Sequence, residues 1–120
     1  MATTPPAHAH TLEVGHRRIA VDSEGYLIER DQWSPEFAEA LARREGLVLT
    51  LAHWEVIEYL RDYYAEHGVQ AQVRVMIRHF SERWGPGRGS NHHLHELFPA
   101  GGPQKQGNRL AGLLRTKGEH

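Results

Sequence analysis

The sequence predicts an all-α protein with a small N-terminal β-hairpin, arranged as an orthogonal helical bundle with a helix-turn-helix-like core. Three observations favour this fold class. Near the N-terminus, apolar and polar residues alternate with the period of a β-strand. From residue 34 onward, apolar residues recur at steps of three and four, which is the period of an α-helix. Glycine and proline interrupt this second pattern repeatedly, so it predicts several short helices.

The first predicted element is the hairpin. Two apolar pairs alternate with polar neighbours, one on each side of Gly15-His16, and these pairs are Leu12/Val14 and Ile19/Val21. Glycine supplies the positive φ that a two-residue turn requires. Residues 22–25 are then expected to form a second turn.

The next two elements are predicted helices with clear start and stop signals. Ser34 followed by Pro35 is a helix start, because a hydroxyl can cap free backbone amides and proline suits the first turn. Gly46 ends that helix. Thr50 begins the longest helix, and Gly68 is its expected C-cap.

Three shorter helices are predicted after residue 70. The third helix ends at Gly85, which a proline follows, and Ser90 then caps a fourth helix that Pro99 ends. Pro103 is expected to begin a fifth helix that continues to about Ala111. The predicted organisation is a flexible tail at residues 1–10, a helical domain at residues 11–112 and a C-terminal arm at residues 113–120.

Composition narrows the classes of function. The net charge is −1 with histidine neutral, so no global field draws the chain onto nucleic acid or an anionic membrane. There is no cysteine among the 120 residues, which excludes disulfides, thiolate metal sites and thiol nucleophiles within them. No apolar run approaches the roughly 20 residues that a membrane-spanning helix needs, so a cytoplasmic protein without membrane contact is expected.

A histidine cluster at the start of the fourth helix is the candidate metal site. His92 and His95 stand three residues apart, so they share a helix face and could bind a transition metal with a third ligand. Glu96 is expected on a different face from His92. A structural or surface role is therefore favoured over metal binding, and no cofactor is predicted.

Arginines on the third helix are the candidate nucleic-acid contacts. The helices predicted over residues 50–67 and 71–84 are joined by a tight turn, as in a helix-turn-helix. Arg74, Arg78 and Arg83 would edge the second helix of this pair, which is the helix that reads bases in DNA-binding proteins of this type. Many helical domains contain such a corner without binding DNA, and the chain is not basic. DNA binding is therefore an alternative hypothesis.

Five short motifs occur in the order in which they occur in one known family. They are Asp22-x-Glu24-Gly25-Tyr26-Leu27, His53-Trp54, Leu60-Arg61-x-Tyr63-Tyr64, Leu97-Phe98-Pro99 and Arg109-x-Ala111-Gly112-Leu113. The chain resembles the DsrC/TusE family from about Thr11 to its C-terminus. DsrC is the small partner of dissimilatory sulfite reductase, and TusE belongs to the sulfur relay of tRNA thiolation. The resemblance implies a helical domain with an N-terminal hairpin, as the residue patterns do.

The resemblance also implies where the sulfur chemistry of the family takes place. Family members carry sulfur on a cysteine near the end of a C-terminal arm, and DsrC proteins have a second cysteine about ten residues earlier. Asn108 and Glu119 occupy those positions here, and neither side chain can form a persulfide. The arm also departs from the family pattern because residues 113–118 contain no proline.

These observations lead to the hypothesis of a DsrC/TusE-like sulfur-relay family protein that lacks the sulfur-carrying cysteines and has no catalytic residue. It would be a non-catalytic binding or regulatory partner in sulfur metabolism, and its protein partners would belong to a sulfur-oxidation, sulfite-reductase or sulfur-relay system. Lys105 and Arg109, one turn apart on the fifth helix, are candidates for binding a partner or an anion, with a plain solvated helix face as the equal alternative. A helix-turn-helix regulator that binds nucleic acid is the alternative function.

Overall fold

A computed structural model of the protein describes residues 10–114, and within this range it confirms the predicted fold class. A two-stranded antiparallel sheet precedes a series of helices that make up most of the described chain. The predicted tail lies outside the described residues except for His10. The predicted arm lies outside them beyond Leu114.

The hairpin forms with the predicted turn. Strands β1 (His10–Val14) and β2 (Arg17–Val21) pair antiparallel, and Gly15 between them has a φ of 62°. All four apolar side chains of the predicted alternation are buried. Strand β1 packs against helix α1 (Pro35–Arg44), and all four side chains belong to the hydrophobic core. This explains why one face of the hairpin is apolar and the other polar.

Helix α1 begins as its sequence predicts. The hydroxyl oxygen of Ser34 accepts a hydrogen bond from the amide of Phe37 at 3.1 Å, which satisfies one of the free amides of the first turn. The helix buries Phe37 and Leu41 completely. The chain leaves it at Gly46, which has a φ of 74°.

Helix α2 (Leu51–His67) begins at a reciprocal cap between Thr50 and His53. The amide of Thr50 donates to Nδ1 of His53 at 3.1 Å, and the amide of His53 faces the hydroxyl oxygen of Thr50 at 3.5 Å. This places a histidine where glutamate or glutamine usually completes such a cap. The helix ends at Gly68, which has a φ of 72°.

Helices α3 (Val73–Trp84) and α4 (Asn91–Leu97) also lie where the sequence predicts them. The hydroxyl oxygen of Ser90 caps α4 by accepting a hydrogen bond from the amide of His93 at 3.1 Å. Gly89, just before this cap, is buried so closely against the backbone of α3 that a Cβ would lie 2.2 Å from the amide nitrogen of Ser81. Glycine therefore permits the approach of the two helices at this point.

The fifth helix differs from its prediction. A helix was expected from Pro103 to about Ala111, and the chain is helical from Pro103 to Leu110. Within this range, however, Pro103–Gly107 form a wide π-helical turn and only Asn108–Leu110 form an α-helix, α5. The backbone at Gly107 approaches α2 so closely that a Cβ would lie 3.0 Å from Cδ1 of Leu60. Local periodicity contains no information about a tertiary contact of this kind, and π turns are frequent at functional sites.

The hydrophobic core is formed by the hairpin and by residues of all five α-helices. Three phenylalanines are fully buried in it, and they are Phe37, Phe80 and Phe98. Helix α5 contacts both α1 and α2, so the C-terminal part of the described chain is held at the centre of the fold. Among residues 10–114, no helix combines the length and the apolar character that crossing a bilayer requires.

Candidate functional site at the C-terminal turn

Residues 107–114, called the C-terminal turn below, carry the backbone out of α5 and toward the predicted arm. Gly112 has a φ of 73°, and the amide of Leu113 donates to the carbonyl oxygen of Asn108 at 2.9 Å. The amide of Gly112 donates to the carbonyl oxygen of Arg109 at 3.2 Å. This pair of bonds around a left-handed glycine is a Schellman cap, and it fixes the direction in which the chain leaves the helix.

Three side chains from other parts of the fold hold the backbone carbonyls of this turn. The indole Nε1 of Trp33 donates to the carbonyl oxygen of Leu110 at 2.8 Å. Arg61 of α2 donates from Nη1 to the carbonyl oxygen of Ala111 at 2.8 Å. Gln70, which follows α2, donates from Nε2 to the carbonyl oxygen of Leu114 at 2.9 Å. Leu114, the last described residue and the second residue of the predicted arm, is thus anchored.

Trp33 and Arg61 also support each other. The guanidinium carbon of Arg61 lies 3.8 Å from the centre of the Trp33 ring, in a cation–π contact. Burial lowers the pKa of Arg61, while the neighbouring carboxylate of Asp62 acts in the opposite direction. The ring of Trp33 leaves no room above Gly112, where a Cβ would lie 2.4 Å from its Cδ1.

Arg109 lies inside the fold, at the centre of a polar network. It is 5% exposed, and its Nε donates to Oε2 of Glu45 at 2.8 Å while Nη2 donates to Oε1 at 3.0 Å. Nε2 of the buried Gln106 donates to the same Oε1 at 2.8 Å. Burial opposes the charge of Arg109, but the hydrogen bonds and charge of Glu45 raise the pKa of the guanidinium. The bidentate geometry belongs to the strong class of ion pairs.

Lys105, the other basic candidate, lies in a different environment. Its Nζ is 3.6 Å from Oε1 of Glu24, and both side chains are about one third exposed, at 36% and 37%. Its carbonyl oxygen accepts a hydrogen bond from the hydroxyl of Tyr26 at 3.4 Å. Lys105 and Arg109 therefore do not form one basic edge. Lys105 presents its charge at the surface, whereas Arg109 joins α5 to the end of α1.

Asn108, where the family resemblance implies the second cysteine, is completely buried. Neither its amide nitrogen nor its amide oxygen has a hydrogen-bond partner among the residues that the structure describes. Such a group costs stability in an apolar interior. Glu119, where the resemblance implies the other cysteine, lies outside the described residues.

The candidate metal residues do not converge on a site. His95 turns Nδ1 toward the carbonyl oxygen of Asn91 at 2.9 Å. Nε2 of His92 lies 3.6 Å from Oε2 of Glu96, so the expectation that these two lie on different faces was wrong, because residues four apart share a helix face. No group of three metal-ligating side chains occurs within residues 10–114.

The three arginines that are candidates for reading DNA lie in two different environments. Arg74 and Arg78 are exposed on α3. Arg83 instead donates from Nη2 to Oε1 of Glu55 on α2 at 2.6 Å, and Nε1 of Trp84 donates to Oε2 of the same carboxylate. These bonds lower the pKa of Glu55. The charge of Arg83 is therefore balanced within the fold.

Some of the residues that build this site were not predicted from the sequence, notably Trp33, Glu45 and Gln70. Glu45 carries a signal that could have revealed it. It is the residue that caps the C-terminal end of α1, where the helix dipole disfavours an acidic side chain. A carboxylate at that end of a helix calls for a cation from elsewhere in the chain, and Arg109 supplies it.

Comparison with known proteins places this architecture in one family. The sequence model of the family described as "DsrC like protein" matches residues 13–118. The "Sulfurtransferase TusE" of Pectobacterium atrosepticum is 38% identical over 102 residues, which cover 85% of this chain and 93% of the relative. The "Sulfurtransferase TusE homolog" of Haemophilus influenzae has the same identity and coverage. The chain belongs to the DsrC/TusE family of sulfur-relay proteins.

Solved structures agree with this assignment. The solution structure of Allochromatium vinosum DsrC has a TM-score of 0.81 at 38% identity, covering 93% of this chain and 99% of that one. The crystal structure of the oxidized gamma-subunit of the dissimilatory sulfite reductase (DsrC) from Archaeoglobus fulgidus has a TM-score of 0.82 at 34% identity, covering 92% and 100%. The similarity spans the whole described fold.

Proposed function

We propose that this protein is a binding or regulatory partner in a sulfur-relay or sulfite-reductase system and does not itself carry sulfur. One observation carries the proposal. The family fold and the anchored start of the C-terminal arm are present, while the sequence contains no cysteine. A protein with these features would bind the partners of the family without delivering sulfur to them.

The chemistry of the two substituted positions supports the non-catalytic part of this proposal. A persulfide forms on a thiolate, and neither an amide nor a carboxylate has a sulfur atom that can be oxidised or transferred. Asn108 is also completely buried, so no donor could reach it without opening the fold. Sulfur transfer by these 120 residues would need a group that the chain does not contain.

The anchoring of the C-terminal turn supports the binding part. Three backbone carbonyl groups of this turn accept hydrogen bonds from the side chains of Trp33, Arg61 and Gln70. The arm therefore begins from a fixed point on the surface. Lys105, in the π-helical turn that precedes α5, has a partly exposed ammonium group and is the residue that we assign to contact with an acidic partner or an anion. Arg109 acts as a positioning residue, since its charge is used by Glu45. The location that fits such a role is the cytoplasm.

A competition experiment tests the proposal. A purified TusE relative is loaded with labelled sulfur by its donor complex in the presence of increasing amounts of this protein. We expect this protein to bind the complex and to slow the loading of the relative, while its own intact mass stays unchanged. Failure to bind any sulfur-relay or sulfite-reductase-type protein would contradict the proposal. So would a gain of one sulfur atom on the unaltered chain.

The variant Glu119→Cys is the matched control. It places a thiol at the arm position that carries sulfur in the family. If the arm still reaches the donor site, this variant is expected to gain labelled sulfur while the unaltered chain does not. Binding without transfer in both proteins would show that the altered arm no longer reaches the donor.

The nucleic-acid alternative has less support. Arg83 is neutralised by Glu55, and the acidic residues Glu58 and Asp62 line the same shallow cleft between α2 and α3. These charges would repel phosphate at one edge of the proposed reading helix. A mobility-shift titration at low salt tests whether the protein binds nucleic acid, because phosphate contacts are strongest at low salt. A shift that Arg74→Ala and Arg78→Ala abolish would favour this alternative.

A further inference from the structure

The ring of His53 joins the start of α2 to the end of α4. Its Nδ1 lies 3.1 Å from the amide nitrogen of Thr50 and 2.8 Å from the hydroxyl oxygen of the same residue. Its Nε2 lies 2.7 Å from the carbonyl oxygen of Leu97. The ring also packs edge-to-face with Phe98, and His53 is buried. Both ring nitrogens are therefore used inside the fold.

These partners determine which ring nitrogen carries the hydrogen of the neutral imidazole. A carbonyl oxygen can only accept a hydrogen bond, so Nε2 must donate to Leu97. A neutral imidazole has one N–H group, so Nδ1 is an acceptor, and it accepts from the amide of Thr50. The reciprocal cap of α2 therefore requires the neutral ring.

Protonation of Nδ1 changes the two contacts of Thr50 in opposite ways. The new N–H of the ring faces the amide N–H of Thr50, so both groups are donors and the amide loses its acceptor. The hydroxyl oxygen of Thr50, in contrast, can accept from the new N–H. The positive charge also lies in the first turn of α2, where the helix dipole disfavours a cation. The protonated ring is therefore a poorer cap than the neutral ring.

The charged groups around the ring are already paired with other side chains. The three residues that the ring contacts have no titratable side chain. The titratable residues nearest to these contacts along α2 and α4 are Glu55 and Glu96. Glu55 is bonded to Arg83, and Glu96 lies 3.6 Å from both His92 and His93. Burial lowers the pKa of the imidazole, while its bond to the carbonyl oxygen at the end of α4 acts in the opposite direction.

We propose that His53 is a pH-sensitive switch that holds the start of α2 while its ring is neutral and releases it when Nδ1 takes up a proton. The release is one-sided, because Nε2 donates to Leu97 in both states. The loop before α2 stays fixed at its beginning, where the amide of Leu47 donates to the carbonyl oxygen of Ala42 at 2.8 Å. The segment that loosens is thus residues 48–53. This switch does not depend on the function proposed above.

Amide hydrogen exchange, measured by NMR on the full chain above and below the titration of His53, tests the switch. Protection factors are compared because they correct for the intrinsic effect of pH on exchange. Below the titration, protection at the amides of Thr50 and Trp54 should fall roughly fivefold or more, as expected for the loss of a cap. The amide of Phe37 is the matched control, since it is capped by the hydroxyl of Ser34, which does not titrate. It should keep its protection.

The amide of Phe98 separates local release from unfolding of the whole domain. It donates to the carbonyl oxygen of Leu94 within α4, on the side of the ring that the switch leaves unchanged, and it should keep its protection. The proposal is overturned if Thr50 and Trp54 stay protected below the titration, or if Phe98 loses protection to the same extent. Ring nitrogen chemical shifts that place the hydrogen of the neutral imidazole on Nδ1 would also overturn it.

Two variants separate the titration of the ring from its packing. Glutamine can complete the cap without titrating, so His53→Gln should remove the pH dependence of protection at Thr50. Thr50→Ala deletes the hydroxyl that receives the new N–H, so the transition should move to lower pH. A pH dependence that persists in His53→Gln contradicts the switch. The exchange and chemical-shift measurements on the unaltered chain remain decisive if a variant does not fold.

Discussion

In the C-terminal turn, polar side chains are buried, whereas in the loop between α1 and α2, apolar side chains are exposed. Asn108 and Arg109 lie within the fold, while Val48 and Leu51 stand in solvent. Most proteins show the reverse pattern, in which apolar side chains are buried and polar side chains are exposed. Both regions therefore depart from the rule in ways that stability alone does not explain. One is built to hold a backbone segment in place, and the other leaves apolar surface free for contact.

The two regions also differ in how firmly they are held. The C-terminal turn receives side-chain hydrogen bonds from three separate parts of the chain. In contrast, Gly46 in the α1–α2 loop has no heavy atom within 4 Å of the place where a Cβ would stand. Substitutions in the turn should therefore have large effects on stability, and matched substitutions near the loop should have small ones.

The largest effect is expected where the turn joins α1. Glu45→Ala removes the partner of a buried guanidinium, and an unpaired buried charge costs about 3–5 kcal/mol. Urea unfolding followed by circular dichroism measures this loss. Glu39→Ala on the exposed face of the same helix is the control and should change the free energy of unfolding by less than about 0.5 kcal/mol. A loss below about 1 kcal/mol for Glu45→Ala would show that the guanidinium is solvated once its partner is gone.

The next largest change in the free energy of unfolding is expected from a comparison of two glycines with matched backbone angles. Gly112 has a φ of 73° and Gly46 a φ of 74°, so alanine is strained at both positions by about 1–2 kcal/mol. Only at Gly112 would the new methyl group also collide with Trp33, so Gly112→Ala should cost about 2–4 kcal/mol in total. Urea unfolding of both variants measures the difference. Equal losses would mean that the Trp33 ring moves aside without penalty.

A third prediction has the opposite sign. Asn108→Leu replaces a buried amide that has no hydrogen-bond partner among residues 10–114 with an apolar side chain of similar size. The free energy of unfolding should rise by about 1–2 kcal/mol. Asn91→Leu, at an exposed position, should leave it nearly unchanged. A destabilisation by Asn108→Leu would contradict the prediction and show that the amide contributes to stability.

The smallest effect concerns pH and His53, at the start of α2. Burial lowers the pKa of His53, although its hydrogen bond to the carbonyl oxygen of Leu97 acts in the opposite direction. Nε2 lies 2.7 Å from that oxygen and Nδ1 accepts from the amide of Thr50, so the neutral ring fits both partners. As the pH falls, His53 in the unfolded chain therefore binds a proton at a higher pH than His53 in the folded protein does.

The stability that His53 provides should thus be complete above about pH 6.5, the ordinary pKa of histidine, and should decline below it. One proton limits the slope to about 1.4 kcal/mol per pH unit. Urea midpoints measured between neutral and mildly acidic pH test this dependence. His53→Gln keeps a side chain able to complete the cap and should flatten the decline. An unchanged pH profile in that variant would assign the dependence to other groups.

Local signals in the sequence were sufficient for most of the fold. Ser34, Thr50 and Ser90 cap the helices that they were predicted to begin, because a cap depends on residues within one turn. The fifth helix begins at Pro103 as predicted, but the π-helical form of its first part was not predicted. The partners of that segment, such as Glu45 for Arg109, lie 64 residues away in the chain, and a periodicity argument contains no information about them.

The site was predicted less well than the fold. The motif that begins at Arg109 identified the correct segment of the chain. It did not predict that the charged side chain of Arg109 is buried. The relation between His92 and Glu96 could have been obtained from helix geometry alone, since the two are four residues apart. The contacts of Trp33 and Gln70 with backbone carbonyls required the tertiary structure, because any side chain with an N–H group could have made them.

The bond between Gln70 and the carbonyl oxygen of Leu114 limits the reach of the arm. Glu119 lies five residues beyond Leu114, and an extended chain advances at most about 3.6 Å per residue, so Glu119 stays within about 18 Å of this anchor. Gln70 thus fixes the point from which this covalent limit is measured. The variant Gln70→Ala would remove that fixed point without altering any residue of the arm. Any partner that recognises Glu119 must bring its own contact inside that radius or first break the bond between Gln70 and Leu114.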